Sequence, residues 1–150
     1  MNRQRATLVI GAVVVLTVVS LVLVLGWFLF GGEAGPARDD DRFVRPDAPK
    51  ASPSGSYTAH AELGPAQNGV ATWVVVIRDR GGSEVFRDDY AYSTRHGVGI
   101  TWLSTADQLW VLSSDVGDAH VDRVGTTWTK TPITPDTLGD EPEEIRRLSG

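Results

Sequence analysis

From Leu8 to Phe30 the chain runs for 23 residues without a charge, and Thr17 and Ser20 are the only hydroxyl-bearing residues among them. A helix of that length rises about 34 Å, enough to cross a hydrocarbon core of about 30 Å with a modest tilt. The abundant Val would favour strand in water, but a lone strand in lipid leaves its backbone groups unpaired, so the pattern predicts a transmembrane helix over 8–30. The run is apolar on every face, unlike a helix packed on a soluble core. It is also longer than the apolar core of a cleaved signal, about 7–15 residues, and reads as an uncleaved signal-anchor. Cleavage near Gly31, Gly32 or Ala34 is the alternative.

From Ser56 onward the period becomes two. Tyr57, Ala59, Ala61 and Leu63 share one face, and Ser56, Thr58, His60 and Glu62 share the other, the signature of a half-buried strand. Thr72–Arg78 is a continuous apolar run that reads as a central strand, and Asp79-Arg80-Gly81-Gly82 supplies a hairpin turn returning along Glu84–Arg87. Further strands are expected at 99–103, 108–112, 120–124 and 126–129, then a short helix from about Asp140 to Leu148 with capping-box spacing through Glu143. The expected fold is an N-terminal transmembrane α-helix plus a small all-β domain, an antiparallel sheet or sandwich. Its core is expected to be built on Tyr57, Trp73, Val75, Ile77, Phe86, Trp102, Leu109 and Val111.

Residues 31–55 separate the two parts and carry repeated prolines and the run Asp39-Asp40-Asp41-Arg42, which predicts an extended, solvated linker. The organisation read from sequence is thus a cytoplasmic N-terminus (1–7), a span (8–30), an acidic linker (31–55), a β domain (56–131) and a C-terminal tail (132–150). Arg3 and Arg5 lie just before the span, and Trp27 and Phe28 suit the far interface. The expectation is a single-pass membrane protein with its N-terminus inside and its C-terminal domain outside.

Composition narrows the partners. All 19 acidic residues follow the span, against 12 of the 14 basic ones, so the part beyond it carries about −7. That charge repels phosphate backbones, and nucleic acid is not expected as a partner. There is no cysteine, so no disulfide supports the domain and no lipid-modified cysteine anchors it. Arg outnumbers Lys twelve to two, the bias of a GC-rich bacterial genome.

The chemistry-bearing residues are sparse. No G-x-S-x-G, H-E-x-x-H or phosphate-cradling glycine loop occurs. Asp118, His120 and Asp122 alternate along one strand and would offer oxygen and imidazole ligands to a cation, although alternate polar residues are also what a solvent-facing strand displays. The reading adopted is that no metal and no cofactor is bound. His60 with Glu62, and His96 with Asp88 or Asp89, are the remaining acid–base combinations. Trp73 and Trp102 read as core. Trp110 and Trp128 are the candidate partner-binding residues, Trp128 in particular because Thr126, Thr127, Thr129 and Lys130 surround it.

Ser52-Pro53-Ser54-Gly55-Ser56-Tyr57, followed by Trp102 and then Asp107-Gln108-Leu109-Trp110, resembles the S-P-D-G-x-Y … W … D-x-L-W pattern of a β-propeller blade. It also resembles a group of uncharacterised, small, membrane-anchored proteins of Gram-positive bacteria that carry this pattern once after an N-terminal helix. The resemblance covers Ser52 to Leu112, with Ser54 where Asp is usual. It implies architecture and topology and brings no activity. A closed propeller needs about four or more blades, and no residue pattern here repeats at that period. The expected function is a non-enzymatic binding or interaction module at the cell envelope, with a protein or cell-wall polymer as partner. An accessory subunit of a membrane complex and a small enzyme are the alternatives.

Overall fold

The computed structural model describes residues 39–149. The span expected over Leu8–Phe30 and the cytoplasmic N-terminus lie outside them. Among the described residues no helix is long and apolar enough to cross a membrane.

The β domain consists of two antiparallel meanders. Sheet one has β1 (Lys50–Ala51), β2 (Tyr57–Leu63), β3 (Thr72–Asp79) and β4 (Glu84–Arg87) in sequence order, with β5 (Tyr92–Ser93) also against β3. Sheet two has β6 (Val98–Trp102), β7 (Leu109–Ser113), β8 (Ala119–Val124) and β9 (Thr127–Pro132), again in sequence order. The residue pattern occurs once, yet the four-strand arrangement occurs twice. The two halves of that pattern lie in different sheets: Ser52–Tyr57 turns β1 into β2, and Asp107–Trp110 leads into β7.

Alternation decides what each sheet buries. Ala59, Ala61, Val75 and Ile77 from sheet one share a core cluster with Val98, Ile100, Trp102, Leu109, Val111, Val121 and Trp128 from sheet two. Of the expected core, Val75, Ile77, Trp102, Leu109 and Val111 are buried, and Tyr57, Trp73 and Phe86 pack against it partly buried. On the other face of sheet one, Glu62 accepts from Arg78 at 2.6 Å and from Arg87 at 2.7 Å, and Arg87 also reaches Glu84. Those guanidinium bonds hold the Glu62 carboxyl below its usual range.

The second half of the expected linker is part of the domain. Asp39–Arg42 forms a 3-10 turn and Arg45 bridges Ala48. The Val44 amide donates to the Ile100 carbonyl at 2.7 Å, and Val44 is 1 % exposed. Prolines made this stretch look solvated. The edge of β6, however, offers an unpaired carbonyl, and the apolar pair Phe43-Val44 supplies a surface to bury. Gly99 is required beneath it, because a Cβ there would sit 2.7 Å from the Phe43 ring.

Both corners between the sheets are closed by side chains. At one, the Trp102 indole donates to the Lys50 carbonyl at 2.9 Å, and the Ser54 amide and hydroxyl donate to the Asp107 carboxylate at 3.0 and 2.6 Å. Burial pushes the Asp107 carboxyl up, but the Ser54 bonds outweigh it and the group lies below its usual range. At the other corner the edge strand breaks between β4 and β5, and the Asp88 amide donates to the Val75 carbonyl at 2.9 Å. Lys130 of β9 crosses from the facing sheet and donates to both Asp88 oxygens at 2.9 Å and to the Tyr92 hydroxyl at 2.6 Å. Tyr92 in turn donates to Asp88 at 2.7 Å. Burial, then Asp88, pushes the Tyr92 phenol far up, so it stays protonated.

Truncating Lys130 leaves the Asp88 carboxylate, whose side chain has no exposure, without its counter-charge. Lys130→Met is expected to lower stability by about 3 kcal/mol, read as a lower urea midpoint by tryptophan fluorescence. Ser54→Asp, which restores the residue usual in the propeller pattern, is expected to destabilise by about 1 kcal/mol in the same assay, because it sets a second carboxylate against Asp107.

Candidate functional site

The outer face of sheet two carries a connected set of polar side chains. Gln108, Trp110 and Leu112 alternate with the inward Leu109 and Val111. The register pairs Trp110 with His120 and His120 with Thr131, so three residues form a row across β7, β8 and β9. The Trp110 and His120 rings lie 5.2 Å apart between centroids, tilted by 39°.

A chain of hydrogen bonds fixes these groups. The Trp110 indole donates to Gln108 Oε1 at 2.7 Å, and Gln108 Nε2 donates to Asp122 Oδ1 at 2.7 Å. The second Asp122 oxygen bonds His120 Nδ1. A carboxylate only accepts, so Nδ1 carries a proton, and in the neutral form of the ring the lone pair lies on Nε2. No described residue hydrogen-bonds that nitrogen.

The C-terminal segment roofs this row. It runs through a 3-10 turn, Leu138–Asp140, into α1 (Glu143–Ser149), whose Ile145 is fully buried against Trp110 and Leu112. Glu144 pins the helix by accepting from the Ser104 amide at 2.6 Å and from Arg42 at 3.3 Å. Between sheet and segment a cavity of about 160 Å³ remains, lined by Trp110, His120, Thr131, Ile133, Asp140 and Pro142 among others. A larger, more open cavity of about 370 Å³ lies at the loop end beside Phe43, Arg45 and His96. It lacks a comparable relay of fixed side chains, and the smaller cavity is the candidate site.

The structure separates the residues that sequence brought together. His120 and Asp122 meet, but Asp118 precedes the strand and is used elsewhere, accepting from the Ser113 amide at 2.9 Å and from the Ser149 hydroxyl at 3.1 Å. Among the described residues no group of three or more His, Asp or Glu is placed to hold a metal ion. His60 sits on β2, where burial and then Arg78 lower its pKa against the pull of Glu62. His96 is exposed in the loop before β6, and Asp88, one of its expected partners, is taken by Lys130 and Tyr92.

Trp110 and Trp128, the candidate partner contacts, are 2 % and 8 % exposed. Trp128 packs edge-on against Tyr57 at 4.9 Å and lies 6.3 Å from Trp102. Its polar neighbours misled because alternation turns Thr127 and Thr129 outward while Trp128 faces the core. Neither ring offers the flat exposed face that stacking needs. Trp110 contributes a wall of the cavity instead. Gln108 and Asp140 escaped the sequence reading, although Gln108 was legible as the residue two before Trp110 on the same strand face.

Beside the site, Glu141 is 5 % exposed and its Oε1 has no hydrogen-bond partner among the described residues. Burial, then the Asp118 charge, pushes its pKa up, and Arg146 only partly offsets them. The folded state therefore binds a proton that the unfolded state releases, and this contribution to stability falls as pH rises through the raised pKa. Glu62, Asp107 and Glu144 act in the opposite sense, since their carboxyls are held low and their contribution is lost on acidification. Glu141→Gln is expected to be more stable than the native chain at neutral pH by about 1 kcal/mol. Urea titrations at a series of pH values should show that gap closing as pH falls into the carboxylate range.

The chain matches no protein-family model, no curated protein and no solved structure in comparison with each.

Proposed function

We propose that this chain is a single-pass, membrane-anchored protein whose β domain is a non-enzymatic binding module on the outer side of a bacterial cell envelope. The observation that carries the reading is the uncharged run Leu8–Phe30, followed in the sequence by a compact β unit. Arg3 and Arg5 before the run and the C-terminal position of the domain favour the inside-to-outside orientation. The resemblance to membrane-anchored proteins that carry one propeller-like motif points the same way.

A binding role rests on the cavity over Trp110 and His120, which has fixed polar groups on the sheet side and a mixed roof of Pro142, Thr137 and Asp140 on the other. The partner in this reading is an envelope protein or a cell-wall polymer. The net charge of about −7 beyond the span argues against nucleic acid.

Topology is the decisive test. A reporter enzyme active only outside the cytoplasm, fused after Gly150, is expected to be active in membranes of intact cells. Activity of a cytoplasm-only reporter at the same position overturns the proposal.

A further inference from the structure

We propose that the cavity between sheet two and the C-terminal segment is a binding site for a primary alkylammonium group. The inference deepens the binding-module reading and rests on it only for the biological setting; the chemistry comes from the cavity itself.

The polar groups that line the cavity are mainly acceptors. His120 lines the cavity, and with Nδ1 protonated toward Asp122 the neutral form of its ring accepts at Nε2. Asp140 lines the cavity with a carboxylate, and Thr131 adds a hydroxyl in register with His120. The two Gln108 amide ends, which would otherwise be available, are consumed by Trp110 and Asp122. Among the described residues no Lys or Arg lines the cavity. An anion would meet Asp140 with Asp122 behind His120, and an uncharged alkyl group would offer Nε2 and the Asp140 carboxylate no donor. A cation with several N–H donors satisfies all of them.

Shape agrees with charge. Trp110, Ile133 and Pro142 supply apolar contact for a short methylene stem. The cavity of about 160 Å³ has room for an ammonium head and a few carbons. A lysine side chain, a free amino terminus and an aminoalkyl ester share this chemistry.

The test uses the full chain in non-ionic detergent, with the Trp110 indole N–H followed by NMR and assigned by loss in Trp110→Phe. n-Butylammonium chloride is expected to shift that resonance saturably, while equal concentrations of sodium chloride and n-butanol leave it in place. Asp140→Asn and His120→Gln should each weaken the response about tenfold, the effect of losing one hydrogen bond to a charged group. Asp140 is exposed, so its variant tests the ligand contact without removing core packing. Displacement by Nα-acetyl-lysinamide, or by an aminoalkyl ester, then separates a protein side chain from a polymer substituent as the source.

A saturable shift with n-butanol equal to that with butylammonium, an unchanged affinity in Asp140→Asn, or no saturable shift overturns the proposal. These outcomes are independent of the reporter assay. Butylammonium binding in a chain whose C-terminus proves cytoplasmic overturns the envelope reading alone, and correct topology without binding overturns this inference alone.

Discussion

Two four-stranded meanders laid face to face leave open corners, and a domain without disulfides has to close them with side chains. At the β4/β9 corner this is done by one ion pair, Lys130 on Asp88, inside a shell of Tyr92 and Tyr90. The arrangement fixes several features at once. Asp88 can turn inward only because the edge strand breaks between β4 and β5, and Lys130 can reach it only if β9 places Trp128 in the core one alternation earlier. A buried pair of this kind contributes little net energy against an apolar replacement, but removing either partner is costly, so it acts mainly as a constraint on register.

The opposite corner uses weaker, more local contacts. Ser54 and Asp107 join the two halves of the propeller-like pattern across the two sheets. The serine donates to an aspartate of the next meander, so this contact links the two sheets.

The C-terminal segment gives the outer face of sheet two its chemistry. Without it, Trp110 and Leu112 would be exposed and the His120–Asp122–Gln108 relay would face bulk water, where such bonds are weak. With it, the same groups become one wall of an enclosed space. The attachment is mixed in character: Ile145 and Glu144 hold the segment down, while Glu141 introduces a buried carboxyl with an unpartnered oxygen beside Asp118. The roof over the site is therefore sensitive to protons in the sense opposite to the surface ion pairs.

The seven main strands were legible because a period of two is a local property, set by which face of each strand meets apolar surface. The turn at Gly82 was legible for a similar local reason, since it adopts the left-handed backbone that turn sequences signal. The short strands β1 and β5 and the packed stretch from Asp39 to Ala48 were not, because two or three residues carry no period and are held by edges that exist only after folding. Trp128 was misread from its neighbours, and Asp118 was grouped with His120 on spacing alone, since both assignments depend on contacts from other elements. Gln108, His120 and Asp122 lay within reach of the pattern, but Asp140 and the roof of the cavity did not. The sequence by itself determined the uncharged run, the acidic balance and the two-residue alternation, all of which depend on near neighbours and solvent. Only the tertiary structure decided which polar side chains converge, because residues far apart in the chain become partners through strand register and through the docking of the C-terminal helix.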